Sequence, residues 1–182
     1  MKVLLPIDIQ QGFEDHTYWG GERNNPQFEA NVEALITAAR RASVPIIHVK
    51  HDSVDPRSPL RPGLAGNAIM ACAAPEGDEP VLGKSVNSGF IGTDLEERLR
   101  ALGATQLIAF GMTTDHCVST TVRMAANLGF ATVLVSDACA TFPKSVGEHS
   151  FDAQTLHLVH LASLADEFAD VRTTRETLAS LQ

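Results

Sequence analysis

The sequence predicts a three-layer α/β/α sandwich with a mainly parallel central sheet. Short apolar runs rich in β-branched residues alternate with stretches of helical periodicity, the pattern of strands buried on both faces and joined by crossover helices. The second observation is size. At 182 residues, 44% of them hydrophobic and 20% charged, the chain suits one core, because domains commonly run about 100–200 residues. No repeat, low-complexity tract or linker divides it, so residues 1–182 read as one domain.

The elements follow in order. Residues 3–7, 44–49, 106–110 and 132–135 are the apolar runs expected as strands, with a shorter one at 80–83. Pro6 conflicts with an interior position for the first, since proline removes a ladder donor; that strand is either irregular there or near an edge. Over 26–42, Val32, Leu35, Ile36 and Ala39 recur at helical steps while Glu33, Arg40 and Arg41 can face water. A helix over 93–102 is expected from the Thr93-x-x-Glu96 capping-box pattern and the stop at Gly103. The next runs from 115 to 128, closed by Gly129. A helix over 151–164, a short strand over 167–171 and a last helix from Thr173 complete the chain. The segments 14–25 and 56–80 are the least regular, and long loops are often functional.

Composition excludes several classes. Fourteen Lys plus Arg against 22 Asp plus Glu give a net charge of −8, opposite to the basic excess a nucleic-acid surface needs. Cys72, Cys117 and Cys139 lack the pairing of a disulfide scaffold or a structural zinc site, which fits a reducing cytoplasm. The apolar start is broken by Pro6 and Asp8, and no apolar run approaches a membrane span. A cytoplasmic protein acting on a small molecule is the expectation, with no nucleic acid and no membrane partner.

In open parallel sheets, ligands bind beyond the carboxyl ends of the strands. There the chain places an acid, a base and a nucleophile: Asp8 after the first strand, Lys84 after the short run at 80–83, and Cys117 at the start of the fourth helix. With Thr114 or Asp115 as N-cap, Cys117 falls in a first turn whose N–H groups favour a thiolate. A buried cysteine acting as a small hydrophobe is the alternative. Lys84 would stabilise both anions, and Asp8 can exchange a proton with the thiol.

The segments Ile7-Asp8-Ile9-Gln10, Gly83-Lys84-Ser85-Val86-Asn87-Ser88-Gly89-Phe90, Gly111-Met112-Thr113-Thr114-Asp115-His116-Cys117-Val118 and Ser136-Asp137-Ala138-Cys139-Ala140-Thr141 resemble, in order and spacing, the isochorismatase-like cysteine hydrolases. That family includes nicotinamidases and N-carbamoylsarcosine amidase. The resemblance implies an Asp8, Lys84, Cys117 triad on an isochorismatase-like fold. It also implies a cis peptide bond between Met112 and Thr113, with the Thr113 and Cys117 N–H groups forming an oxyanion hole. Dimers or tetramers are common in the family, so a homo-oligomer is expected.

Metal-dependent nicotinamidases carry an Asp-x-His pair just after the second strand. Here the stretch is His48-Val49-Lys50-His51-Asp52-Ser53, and His48 and His51 fall on opposite strand faces. No metal and no cofactor are expected. Isochorismatases proper have lost the nucleophilic cysteine, so Cys117 favours amide-type chemistry; vinyl ether hydrolysis, or ligand binding and thiol sensing without turnover, are the alternatives. Phe13, Trp19, His51, Asn87, Phe90 and His116 are candidate pocket residues, and Arg61 a candidate anchor for a substrate carboxylate.

Overall fold

The computed structural model describes residues 1–181. Its strands are β1 (Lys2–Ile7), β2 (His48–His51), β3 (Val81–Lys84), β4 (Gln106–Met112), β5 (Ala131–Ala140), β6 (Lys144–Val146), β7 (His149–Phe151) and β8 (Asp170–Arg172). Six of them form one sheet in the order β3-β2-β1-β4-β5-β8, every adjacent pair parallel, while β6 and β7 make a separate antiparallel hairpin. The helices are α1 (His16–Trp19), α2 (Phe28–Arg41), α3 (Leu95–Ala101), α4 (Ser119–Asn127), α5 (Ala153–Leu164) and α6 (Thr174–Ser180).

Right-handed crossovers assign the layers. From β1 the chain moves through α2 to β2 on one side; from β4 it moves through α4 to β5 on the other. These opposite displacements put the two helices on opposite faces. Contacts agree, since α2 packs with α6 and α4 with α5. The faces are sealed by Phe28, Val32, Leu35, Ile36 and Ala39 of α2, and by Val122 and Ala125 of α4, all buried against a sheet core that includes Leu4, Leu5, Ile7, Phe110 and Leu134. No helix among the described residues is long and apolar enough to cross a membrane.

The Pro6 conflict resolves as an irregularity, not an edge. β1 is an interior strand between β2 and β4. Leu4 N–H donates to Pro45 O and Asp8 N–H to Val49 O, both at 2.8 Å. By the two-residue period, the position facing β2 between them is Pro6, which has no N–H to give. The ladder is accordingly interrupted: Leu4 bridges Ile46 in isolation and regular pairing resumes only at Ile7 with Val49. This is why β2 begins at His48 although the apolar run begins at Val44.

Other boundaries move for local reasons. Asp94, without a side-chain cap bond, precedes α3; the Thr93 hydroxyl donates to Gly89 O and accepts from Leu95 N–H at 3.4 Å, not from Glu96 N–H, so the expected capping box does not form. α5 starts at Ala153, with Asp152 accepting from Thr155 N–H, since Phe151 belongs to the hairpin. α6 does carry a full capping box, from Thr173 and Glu176.

β5 runs well past Val135, slipping against β4 between the pairs Ala109–Leu134 and Gly111–Cys139. Gly111 is essential to that geometry. It has φ +137°, and a Cβ there would meet Ile7 O at 1.9 Å. Only a glycine lets β4 close on β1 one residue before Asp8.

Candidate active site

The sheet reverses its winding between β1 and β4, and beyond the carboxyl ends of these strands lies a crevice of the kind that binds ligands. Asp8, with φ 51°, turns off the end of β1; Lys84 ends β3; Cys117 follows β4. Lys84 Nζ donates to Asp8 Oδ2 at 2.6 Å, and both side chains are completely buried. Lys84 Nζ also donates to His51 Nδ1, at 3.1 Å. A ligating atom from each of Asp8, His51 and Cys117 lies within 4.8 Å of those of the other two. Asp8 Oδ1 makes no hydrogen bond of full geometry, and the Cys117 thiol is the donor within reach of the carboxylate.

Electrostatics follow from burial. Desolvation raises the Asp8 carboxyl above its ordinary value, outweighing the opposing pull of Lys84. Desolvation also raises the Cys117 thiol; the Asp8 charge pushes the same way, and Lys84 only partly offsets them. Both effects oppose ionisation of the thiol. This corrects the expectation of a thiolate stabilised by a helix start.

The turn that carries Cys117 also differs from expectation. The Met112–Thr113 bond is cis. Thr114–Val118 then form a single π-helical turn before α4, with Thr113 O accepting from His116 N–H and Val118 N–H. Thr113, not Thr114 or Asp115, is the N-cap residue, and it makes no side-chain cap bond. Asp115 instead pairs with Lys144 and accepts from the Thr141 hydroxyl. Burial alone would raise the Asp115 carboxyl, but these two partners hold it down at about 2. Behind the turn, Thr114 Oγ1 meets His157 Nδ1 at 2.9 Å, and burial lowers the His157 imidazole to about 4. Thus the hairpin residue Lys144 and the α5 residue His157 brace the cysteine turn from two sides.

A cavity of about 180 Å³ opens above the cluster, and Asp8, Thr113, His116 and Cys117 are on its wall. One side is aromatic. Phe13 stacks on Trp19 with centroids 4.7 Å apart, Trp19 stacks on Phe142 at 5.6 Å, and the Trp19 indole N–H is tied to Gly12 O at 2.8 Å.

The isochorismatase domain model matches residues 2–176. The chain belongs to the isochorismatase family. The isochorismatase-family protein YrdC of Bacillus subtilis is 41% identical over 97% of this chain and 94% of its own length. Nicotinamidase 3 of Arabidopsis thaliana is 30% identical over 81% of this chain and 77% of its own. Among solved structures, a hydrolase of the isochorismatase family from Chromobacterium violaceum superposes with a TM-score of 0.94 at 42% identity, covering 99% of this chain and 93% of that one. A cysteine hydrolase from Pseudomonas syringae gives 0.90 at 25% identity, with 99% and 92% covered.

Within this isochorismatase-family hydrolase, the expected pocket residues divide. Phe13, Trp19, His51, Asn87 and His116 line the cavity. Phe90 does not; it is buried and stacks on Phe130, with centroids 6.2 Å apart. Arg61 is not on the wall either. It lies half-buried, with a buried Nε lacking a hydrogen-bond partner, and its charge acts on Asp55. Tyr18, Ser53, Asp55, Ser58 and Leu60 complete the wall and were not singled out from sequence; the only signal for them was their place in or beside the two irregular segments.

The other cysteines stand apart from the cavity. Burial raises Cys139 to about 12 and Cys72 to about 11. His48 and His51 are separated as the strand period requires. His48 is buried on Glu79 Oε2 at 2.9 Å, and Arg40 grips the same carboxylate at 2.8 Å. The Asp8, His51 and Cys117 cluster is a poor cage for a metal ion, because the Lys84 ammonium already stands against two of its three members.

Proposed function

We propose that this isochorismatase-family hydrolase is a metal-independent cysteine amidohydrolase. Its substrate is a small amide, ureido or carbamoyl compound, and the C–N bond is cleaved through a thioester. The observation that carries this reading is the fully buried Lys84–Asp8 pair at 2.6 Å beside the Cys117 thiol. A buried pair of this kind is costly to maintain for stability alone, and it supplies what a protonated thiol needs to attack a carbonyl.

As sulfur bonds to the carbonyl carbon, the thiol proton passes to Asp8 and the carbonyl π pair moves onto oxygen. The raised carboxyl pKa suits Asp8 to accept that proton. The oxyanion is stabilised by the Thr113 and Cys117 N–H groups, both from residues of the cavity wall. Its collapse breaks the C–N bond, and Asp8 returns the proton to the departing amine or ammonia. Water then attacks the thioester with Asp8 taking its proton. The C–S bond breaks, the carboxylic or carbamic acid leaves, and that proton restores the thiol. Throughout, the Lys84 ammonium compensates whichever of Asp8 and Cys117 is anionic.

The nicotinamidase similarity supports an amide, and the cavity of about 180 Å³ supports a small one. The test is ammonia or amine release across a panel of small carboxamides, ureido acids and N-carbamoyl compounds, with isochorismate as comparison. Turnover of at least one C–N substrate is expected. Turnover of isochorismate alone, insensitive to thiol alkylation, would replace the reading with vinyl ether hydrolysis.

A further inference from the structure

The His51 backbone is fixed more tightly than that of an ordinary strand-end residue. Its N–H donates to Gln10 Oε1 at 2.8 Å; its carbonyl accepts from Gln10 Nε2 at 3.0 Å and from Asn67 Nδ2 at 3.1 Å. Gln10 is completely buried and Asn67 nearly so. This clamp aims the imidazole at one place, with Nδ1 at 3.1 Å from Lys84 Nζ.

An ammonium has three N–H groups and accepts nothing, so at this contact Nδ1 must be the acceptor. The donors of Lys84 then divide among Asp8 Oδ2, His51 Nδ1 and the Cys117 sulfur. In a fully buried side chain, each donor without a partner costs free energy. We infer that His51 is a positioning residue: as a neutral imidazole protonated on Nε2, it holds the Lys84 ammonium at the point shared by Asp8 and Cys117.

The surroundings suit that neutral form. Besides Asp8, Lys84 and Cys117, the charged or titratable groups around His51 are its neighbours Lys50 and Asp52, paired with each other at 3.1 Å, and, on the cavity wall, Tyr18, Asp55 and His116. Burial first, and then Lys84, lower the imidazole pKa, against the pull of Asp8 and Asp52. Protonation on Nδ1 would remove the acceptor and set two cations against each other.

The inference rests on the proposed role of Cys117, but its test needs no substrate, so the two readings fail separately. In full-length protein labelled with ¹⁵N-histidine, His51 should give the neutral Nε2–H pattern at pH 7, with Nδ1 as a hydrogen-bonded acceptor. Separately, iodoacetamide alkylation of Cys117 is followed at pH 8 by peptide mass. Loss of one buried hydrogen bond predicts a rate about tenfold lower in His51→Ala. His51→Asn, which restores an acceptor, should stay within about threefold of wild type, a rescue that general loosening of the fold would not give. An Nδ1–H tautomer or an imidazolium at pH 7 would overturn the inference, as would alkylation of the alanine variant at the wild-type rate. Should that variant not fold, the wild-type tautomer decides alone.

Discussion

Cys117→Ala is expected to lower turnover of any amide substrate by about 10⁴-fold or more, because members of a nucleophilic unit contribute far more together than a single binding contact. The fold should survive. Cys117 is buried and small, and its removal deletes one sulfur at a cavity wall, so the stability change should stay near or below about 1 kcal/mol. Cys117→Ser should be almost as inactive, since a hydroxyl is still harder to deprotonate than the already raised thiol. Ammonia release and a urea melt on each variant separate lost chemistry from lost structure. Residual activity within about tenfold of wild type would remove Cys117 from the mechanism.

Lys84→Met is expected to remove activity and, unlike the cysteine change, to destabilise the fold by about 3–5 kcal/mol at neutral pH. Breaking one half of a buried pair leaves the other charge uncompensated. The loss should depend on pH in a definite direction. Burial already raises the folded pKa of Asp8 above 3.8 despite the ammonium, and without Lys84 it rises further. A carboxyl with a raised folded pKa contributes stability below its unfolded pKa and loses it as pH climbs through the folded one. The deficit of Lys84→Met should therefore be larger at pH 8 than at pH 5, measured by urea unfolding at both. Equal deficits would mean that Asp8 is not the group left exposed to the loss.

Much of this architecture was legible in the sequence because strand and helix periodicities are written in consecutive residues. The buried face of α2 was read from Val32, Leu35, Ile36 and Ala39, all four of which are buried. The carboxyl ends of β1 and β3 and the turn after β4 are legible for the same reason, which is how the sequence alone sets Asp8, Lys84 and Cys117 against one crevice. What escaped was nonlocal. The β6–β7 hairpin is short and largely exposed, so no apolar alternation marks it. By sequence Asp115 is one of two cap candidates, with Thr114, and nothing local reveals that Lys144, 29 residues later, takes its carboxylate instead. Phe90 follows Lys84 in a family-like segment, yet packing against Phe130 turns it into the core. The thiol was expected to be acidified by a helix start; a π turn and near-complete burial reverse the sign. Burial depth is a property of the assembled sheet, and no single segment encodes it.

The proposed thioester is accessible to one direct measurement. Wild-type protein turning over the fastest amide of the panel is quenched in acid within a single turnover, digested, and the peptide containing Cys117 is weighed. An adduct equal in mass to the acyl portion of the substrate is expected on Cys117 and not on Cys72 or Cys139, and it should vanish when hydroxylamine is added. Turnover that continues with Cys117 unmodified at every quench time, and that persists in Cys117→Ala, would contradict the proposed thioester.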